Sequence, residues 1–373
     1  MARGVARPRF GTGMHLLLLA AAGLLLSRVP LAETPPKGDD CRRGWKIAPF
    51  PVAFYSPETG FGGGCGGVIT YRGHRCPAPL RPQSLSGVLF YTGKGQSLVA
   101  LSPELYFQKE AWELKLGLAY RNFPESLYGV GRSTPDDAEE DYTLEGVTLE
   151  PWLLRRVASH LYVGAVLDIE KTSVREVEEG GLLDRGLLEG HAGGTRAGMG
   201  PVLDWDDRDN LFYPSRGGWY QVYAVFHRPR WGSDVDFDAW TVDLRRYHTL
   251  RASHILAFQM IATGRSGRVP FDRLARLGEV MRGIEAGRVR DRFLAAAQLE
   301  YRFPVRGRFS GVLFAAAGDV SREIEDFEVP GSKVAGGAGL RFALNREEKV
   351  NFRFDLGISR WGIQPYFQFS EAF

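Results

Sequence analysis

From about residue 48 to the end, the chain alternates apolar and polar side chains in segments of roughly ten residues, and few folds tolerate that pattern over such a length. Trp112, Leu114, Leu116, Leu118 and Tyr120 alternate with Glu113, Lys115, Gly117 and Ala119. Leu161, Val163, Ala165, Leu167 and Ile169 alternate with Tyr162, Gly164, Val166, Asp168 and Glu170. Val350, Phe352, Phe354, Leu356 and Ile358 alternate with Asn351, Arg353, Asp355, Gly357 and Ser359. A period of two puts successive side chains on opposite faces of a strand. One face is apolar with aromatics toward its ends and the other carries charges and glycines, as in a strand standing between lipid and a polar lumen. A soluble β-sandwich alternates too, but the long strands, the full charges on the polar faces and the terminal Phe373 favour a barrel. The expected fold is all-β: a transmembrane antiparallel β-barrel.

Counting the runs gives 16 strands, at 48–56, 60–72, 84–92, 96–108, 110–121, 140–155, 158–172, 193–206, 216–229, 235–249, 253–265, 290–304, 307–319, 333–345, 348–360 and 362–373. An even number returns both ends of the barrel to the periplasmic side. The long connections 122–139, 173–192, 266–289 and 320–332 follow odd-numbered strands and face outward. Connections after even-numbered strands are mostly tight, with 73–83 and 207–215 as the longer periplasmic turns.

The N-terminus supplies the address. Residues 1–15 carry Arg3, Arg7 and Arg9 and no acidic side chain, and Leu16–Leu26 is an apolar run too short to span a bilayer as a helix. With small residues near Ala32 this reads as a cleaved secretory signal peptide, residues 1–32, followed by a short periplasmic segment 33–47 and a barrel over 48–373. The expected location is the outer membrane, with its lipid as one partner and the barrel assembly machinery as another during insertion. Acidic and basic residues nearly balance, at 44 and 47, so no footprint for nucleic acid appears.

Several motifs then fall in a fixed order. Asp207-Arg208-Asp209, Pro214 and Gly217-Gly218 form a turn between two alternating strands. Met281-Arg282-Gly283-Ile284 lies in the long loop before the twelfth strand, and Gln298-Leu299-Glu300-Tyr301-Arg302-Phe303-Pro304 lies on that strand. Val312–Asp319 follows, and the chain closes with Phe367, Phe369 and Phe373. Together they resemble the surface-antigen superfamily of outer-membrane barrels, which includes BamA, TamA and the two-partner secretion transporters; the last residues are similar to its C-terminal β-signal. The resemblance implies that loop 266–289 folds into the lumen and that Arg282 makes polar contacts with the inner wall. On the twelfth strand Ala297, Leu299, Tyr301 and Phe303 form the apolar face, so Gln298, Glu300 and Arg302 face the lumen, and Glu300 is the natural partner of Arg282. The family's second lumen carboxylate, on the thirteenth strand, is Ala316 here; Asp319 is near but of opposite strand parity, and a weaker lock is expected.

The resemblance also implies periplasmic POTRA domains in members that insert or export proteins, and 33–47 is too short for one. A barrel-only member is therefore expected, assisting insertion or translocation of protein or lipid substrates with a separate periplasmic POTRA-like or chaperone partner. A passive pore constricted by the loop and a surface scaffold are the alternatives. Pro49, Pro51 and Pro365 lie in the first and last strands and lack N–H donors; this seam is either the easiest to open, as the lateral gate of the family implies, or simply ends in prolines and stays shut. Cys41 and Cys76 both fall on the periplasmic side and are expected to pair, leaving Cys65 free, with a Cys65–Cys76 bond as the competitor. No catalytic constellation, phosphate-binding loop or metal-ligand spacing is present, so neither an enzyme nor a cofactor is expected.

Overall fold

The computed structural model describes residues 44–56, 60–72, 83–108, 110–210, 213–251, 253–345, 349–369 and 371–373. The proposed signal peptide and both Cys41 and Cys76 lie outside these residues. Sixteen long strands make one antiparallel sheet. They are β1 (Gly44–Ser56), β2 (Gly60–Arg72), β3 (Gln83–Thr92), β4 (Ser97–Phe107), β5 (Trp112–Leu127), β6 (Glu140–Arg156), β7 (Leu161–Arg175) and β8 (Gly193–Asp206). Then come β9 (Gly217–His227), β10 (Phe237–Arg251), β11 (His254–Gly267), β12 (Phe293–Arg306), β13 (Phe309–Ser321), β14 (Lys333–Asn345), β15 (Val350–Ser359) and β16 (Gly362–Phe369). Each pairs with the next in order, and β16 returns to lie against β1, with no paired register between these two among the described residues.

The alternation read from the sequence sets which face is which. On β4, Leu98, Ala100, Ser102 and Glu104 are buried while Val99 and Leu101 point outward and stay exposed. On β12, Leu299 is 45% exposed while Glu300 and Arg302 are at 0%. Exposed leucines around buried carboxylates and guanidiniums invert a soluble protein, and they fit a sheet whose outer face meets hydrocarbon. A single continuous sheet also removes the β-sandwich, which requires two. Cys65 lies on the outer face of β2, free and exposed.

Several strand bounds shift by a few residues, most at β5, which runs on to Leu127 instead of ending at 121, and the first and last strands shift as well. The first strand begins at Gly44, ahead of 48, because Gly44–Lys46 find partners in Thr70–Arg72. The last strand ends at Phe369, not at 373. Phe373 turns away from the sheet and packs against Tyr247 and Ala257 on the lumen face of β10 and β11, at 5% exposure.

Candidate functional site

The connection between β11 and β12, residues 268–292, does not project from the barrel. It carries two single-turn 3-10 segments, Phe271–Arg273 and Leu277–Glu279, and a two-residue ladder joining Ala275–Arg276 to Arg290–Asp291. Nearly all of it is buried. Ala275, Leu277, Met281, Ile284 and Val289 pack against Leu294, Ala296, Ala316, Val320 and Ala335 of the inner wall. An apolar patch on the lumen side of three strands is thus matched by an apolar face of the loop, and burial at ~25 cal/mol per Å² holds the two together.

Arginines fasten the rest. Arg273 reaches Glu170 at 2.8 Å and Asp168 at 3.1 Å on β7. Arg276 reaches Glu125 on β5 at 3.2 Å. Arg288 bonds Asp136 and the Thr134 carbonyl in the extracellular connection after β5, and Arg290 donates to the Ser126 carbonyl at 3.2 Å. From outside, Tyr128 Oη donates to Glu285 at 3.2 Å, Gly131 bridges to Arg290, and the Glu189 carbonyl accepts from the Phe271 N–H at 2.9 Å. The loop is therefore tied to widely separated strands and covered by the connections after β5 and β7.

Arg282 sits at the centre of the tip. Its Nη2 donates to Glu300 Oε2 of β12 at 2.6 Å and its Nη1 to Asp355 Oδ2 of β15 at 2.7 Å. Its guanidinium carbon stands 3.6 Å from the centroid of the Phe314 ring. Two charge-assisted bonds to carboxylates on different strands fix the guanidinium's position and orientation. The second carboxylate that is absent at Ala316 is thus supplied from another strand. Ala316 belongs to the apolar patch instead, and Asp319 does not stand in for it: it takes Arg132 at 3.0 Å and Lys333. The weaker lock expected from Ala316 does not follow, since Arg282 keeps two carboxylate partners.

Gly283 explains how the tip lies so close to the wall. Its φ is 93°, a region L side chains avoid, and a Cβ there would stand 2.9 Å from Ile358 N and 3.0 Å from Gly357 C, both backbone of β15. Its N–H donates to Tyr366 Oη of β16 at 2.7 Å, and the Ser359 hydroxyl donates to its carbonyl. The loop tip thereby holds the last two strands, next to the seam.

The turn and the C-terminus meet the same site through Arg302. Its Nε donates to Glu300 Oε1 at 2.7 Å, its Nη1 to the Pro214 carbonyl at 3.3 Å and its Nη2 to the Phe373 carbonyl at 3.0 Å. In the turn, Asp207 accepts from Gly218 N at 2.7 Å, Asp209 accepts from Ser215 N at 2.8 Å and Arg216 N at 3.1 Å, and Arg208 pairs with Asp206 at 2.7 Å. Gly217, with φ 88°, lies against the Asp207 carbonyl, where a Cβ would come within 2.2 Å of the oxygen. Partial burial pushes the Asp209 carboxyl up, but the Ser215 hydroxyl and the two N–H donors outweigh it and hold the group below the usual carboxylate range. Glu371 joins from the tail, accepting from Arg341 at 2.7 Å and Asn351 at 3.1 Å.

Asp355, Arg341 and the hub role of Arg302 escape a reading of motifs. The lumen parity of Arg353 and Asp355 was visible in the alternation of β15, but nothing local to that strand says that a loop some seventy residues earlier in the chain would reach it.

A sixteen-stranded sheet with lipid-type outer side chains, charged inner ones and a long inserted loop defines a transmembrane outer-membrane β-barrel. The Omp85 superfamily domain matches residues 82–370, and the chain belongs to that superfamily. Among solved structures it is similar to BamA from Haemophilus ducreyi lacking POTRA domains 1–3, at 14% identity and a TM-score of 0.60 over 88% of this chain and 70% of that one. It is similar to CdiB from Escherichia coli at 12% identity and a TM-score of 0.59, over 88% of this chain and 63% of that one. CdiB from Acinetobacter baumannii gives 11% identity and a TM-score of 0.54, over 88% of this chain and 60% of that one. The chain thus spans less than two thirds of either CdiB, and at these identities the likeness is one of fold. No curated protein matches it in sequence.

Proposed function

We propose that this barrel assists insertion or translocation of protein or lipid substrates at the outer membrane, with the lumen loop as a lock that is released during the cycle and with a separate periplasmic partner delivering the substrate. The observation that carries the reading is the fastening of the loop tip. Arg282 joins β12 to β15 through two buried carboxylates, and Gly283 bonds Tyr366 and Ser359 beside the seam. A loop that only narrowed a pore would need no such hold on the last two strands. Release of the tip frees both the lumen and β16, and an unpaired strand edge in hydrocarbon is costly enough to favour capture of an incoming strand.

The test is single-channel conductance of the purified barrel in planar bilayers, wild type against Arg282→Ala. The expected wild type is closed or flickers at low conductance, and the variant opens. A large steady wild-type pore, indifferent to the substitution, refutes the lock and leaves a passive channel.

A further inference from the structure

The two carboxylate oxygens that Arg282 occupies each have a second arginine waiting beside them. Asp355 Oδ2 accepts from Arg282 Nη1 at 2.7 Å, and Arg353 Nε of β15 stands 3.6 Å from the same oxygen. Glu300 Oε2 accepts from Arg282 Nη2 at 2.6 Å, and Arg341 Nη2 of β14 stands 3.8 Å from it. Each keeps idle donors, although Arg341 already holds Asp355 Oδ1 and Glu371 through its Nη1 and Nε. Arg353 Nε and Nη1 and Arg341 Nη2 are buried and make no hydrogen bond among the described residues. A buried guanidinium normally exhausts its donors, so idle N–H groups aimed at a carboxylate that another residue holds need an explanation.

Among the described residues the neighbouring carboxylates offer none. Glu300 Oε1 is taken by Arg302, Asp355 Oδ1 by Arg341, and the two oxygens of Glu371 by Arg341 and Asn351. Arg353 and Arg341 also lie directly opposite each other in the β14–β15 register, a like-charge pairing that a sheet ordinarily avoids. Arg282 arrives on a loop, whereas Arg341 and Arg353 belong to the wall and cannot leave.

We propose that Arg353 and Arg341 are resident substitutes for Arg282: when the loop tip withdraws, Arg353 closes on Asp355 and Arg341 on Glu300, so the lock is an exchange of partners. This rests on the lock proposed above and gives it reversibility. An ordinary buried ion pair resists opening because its surviving partner is stranded. Here both carboxylates are recaptured by movements of about an ångström, short of full hydrogen-bond contact by only that much. Arg353 is then a positioning residue: it acts on the loop through Asp355, whose Oδ2 it approaches to 3.6 Å.

The exchange predicts signs that a merely structural arginine would not produce. Arg353→Gln removes the substitute from the released state and little from the locked one, so openings fall at least tenfold in frequency. Arg353→Lys keeps a charge within reach of Asp355 and restores them. The deciding measurement is a double-mutant cycle on the midpoint of heat unfolding in detergent micelles. Arg282→Ala and Arg353→Gln each lower the midpoint slightly, because Asp355 Oδ2 keeps one arginine in reach in either, whereas the double variant leaves that oxygen with none and only Oδ1 held by Arg341. The double variant lowers it by well over the sum, or fails to assemble where both single variants fold. Additive midpoints, or Arg353→Gln openings as frequent as wild type, overturn the exchange. If Arg353→Gln alone fails to fold while Arg353→Lys folds, Arg353 already holds Asp355 in the locked state, and the exchange is again refuted. Conductance of Arg282→Ala separates the two proposals: no change there refutes the lock itself, whereas an open Arg282→Ala pore with an additive cycle refutes only the exchange.

Discussion

Gly283→Ala gives a test of the lock that leaves every charge in place. The residue sits at φ 93°, where a Cβ costs roughly 1–2 kcal/mol. The added methyl would lie 2.9 Å from Ile358 N and 3.0 Å from Gly357 C, and backbone paired on both sides, to β14 and β16, yields poorly. The cheapest relief lifts the tip, which loosens the 2.7 Å bond to Tyr366 Oη at a net cost of about 1 kcal/mol. Together these destabilise the docked tip by about 3 kcal/mol, a factor of about 150 in its equilibrium. Gly232 is the matched control: it has the same φ of 93°, lies in the extracellular connection after β9, and has nothing within 4 Å of a built Cβ. Planar-bilayer recordings of Gly283→Ala, Gly232→Ala and wild type, each confirmed as folded by heat-modifiable mobility on gels, separate backbone strain from loss of the lock. Gly283→Ala is expected to open as Arg282→Ala does, and Gly232→Ala to behave as wild type. A folded Gly283→Ala that stays closed refutes the argument that close backbone approach seats the tip.

Two further outcomes follow from other parts of the barrel. Asp209→Ala is expected to lower the urea-unfolding stability by about 1 kcal/mol, since the N–H groups of Ser215 and Arg216 lose their acceptor. Because the folded carboxyl is held below its usual value, its contribution is present above the unfolded value near pH 4 and is lost as pH falls through the folded one, so the gap between wild type and variant closes in acid; a gap that widens there contradicts the assignment. Cys65, exposed on the outer face of β2 opposite Leu89, is expected to carry a fluorophore into lipid in a Cys41→Ser, Cys76→Ser background. Phospholipids brominated on their chains should quench it and aqueous iodide should not; quenching by iodide alone would place that strand face in water.

The faces of the strands were legible in the residues because facing is a local property: with a period of two, Glu300 and Arg302 must share a side, and so must Arg353 and Asp355. The inserted loop and its Arg282 were legible through the order of motifs, and Glu300 through parity on the strand that follows. What no motif carried was which groups meet across the lumen. Asp355 reaches Arg282 only because the sheet curves between β12 and β15, and Ala316 reads as a missing carboxylate until it is seen packed in an apolar patch with Ala296 and Ala335. The convergence of Pro214, Phe373 and Glu300 on Arg302 joins residues far apart in the chain, and the inward turn of Phe373 depends on the pocket that Tyr247 and Ala257 make for it. By itself the sequence determined the alternation, and with it an outer face for lipid and an inner face of charge. Only the tertiary structure decided which of those inner charges are paired, which are doubly claimed, and where the loop is held, because an ion pair across a lumen depends on register and curvature summed over many strands.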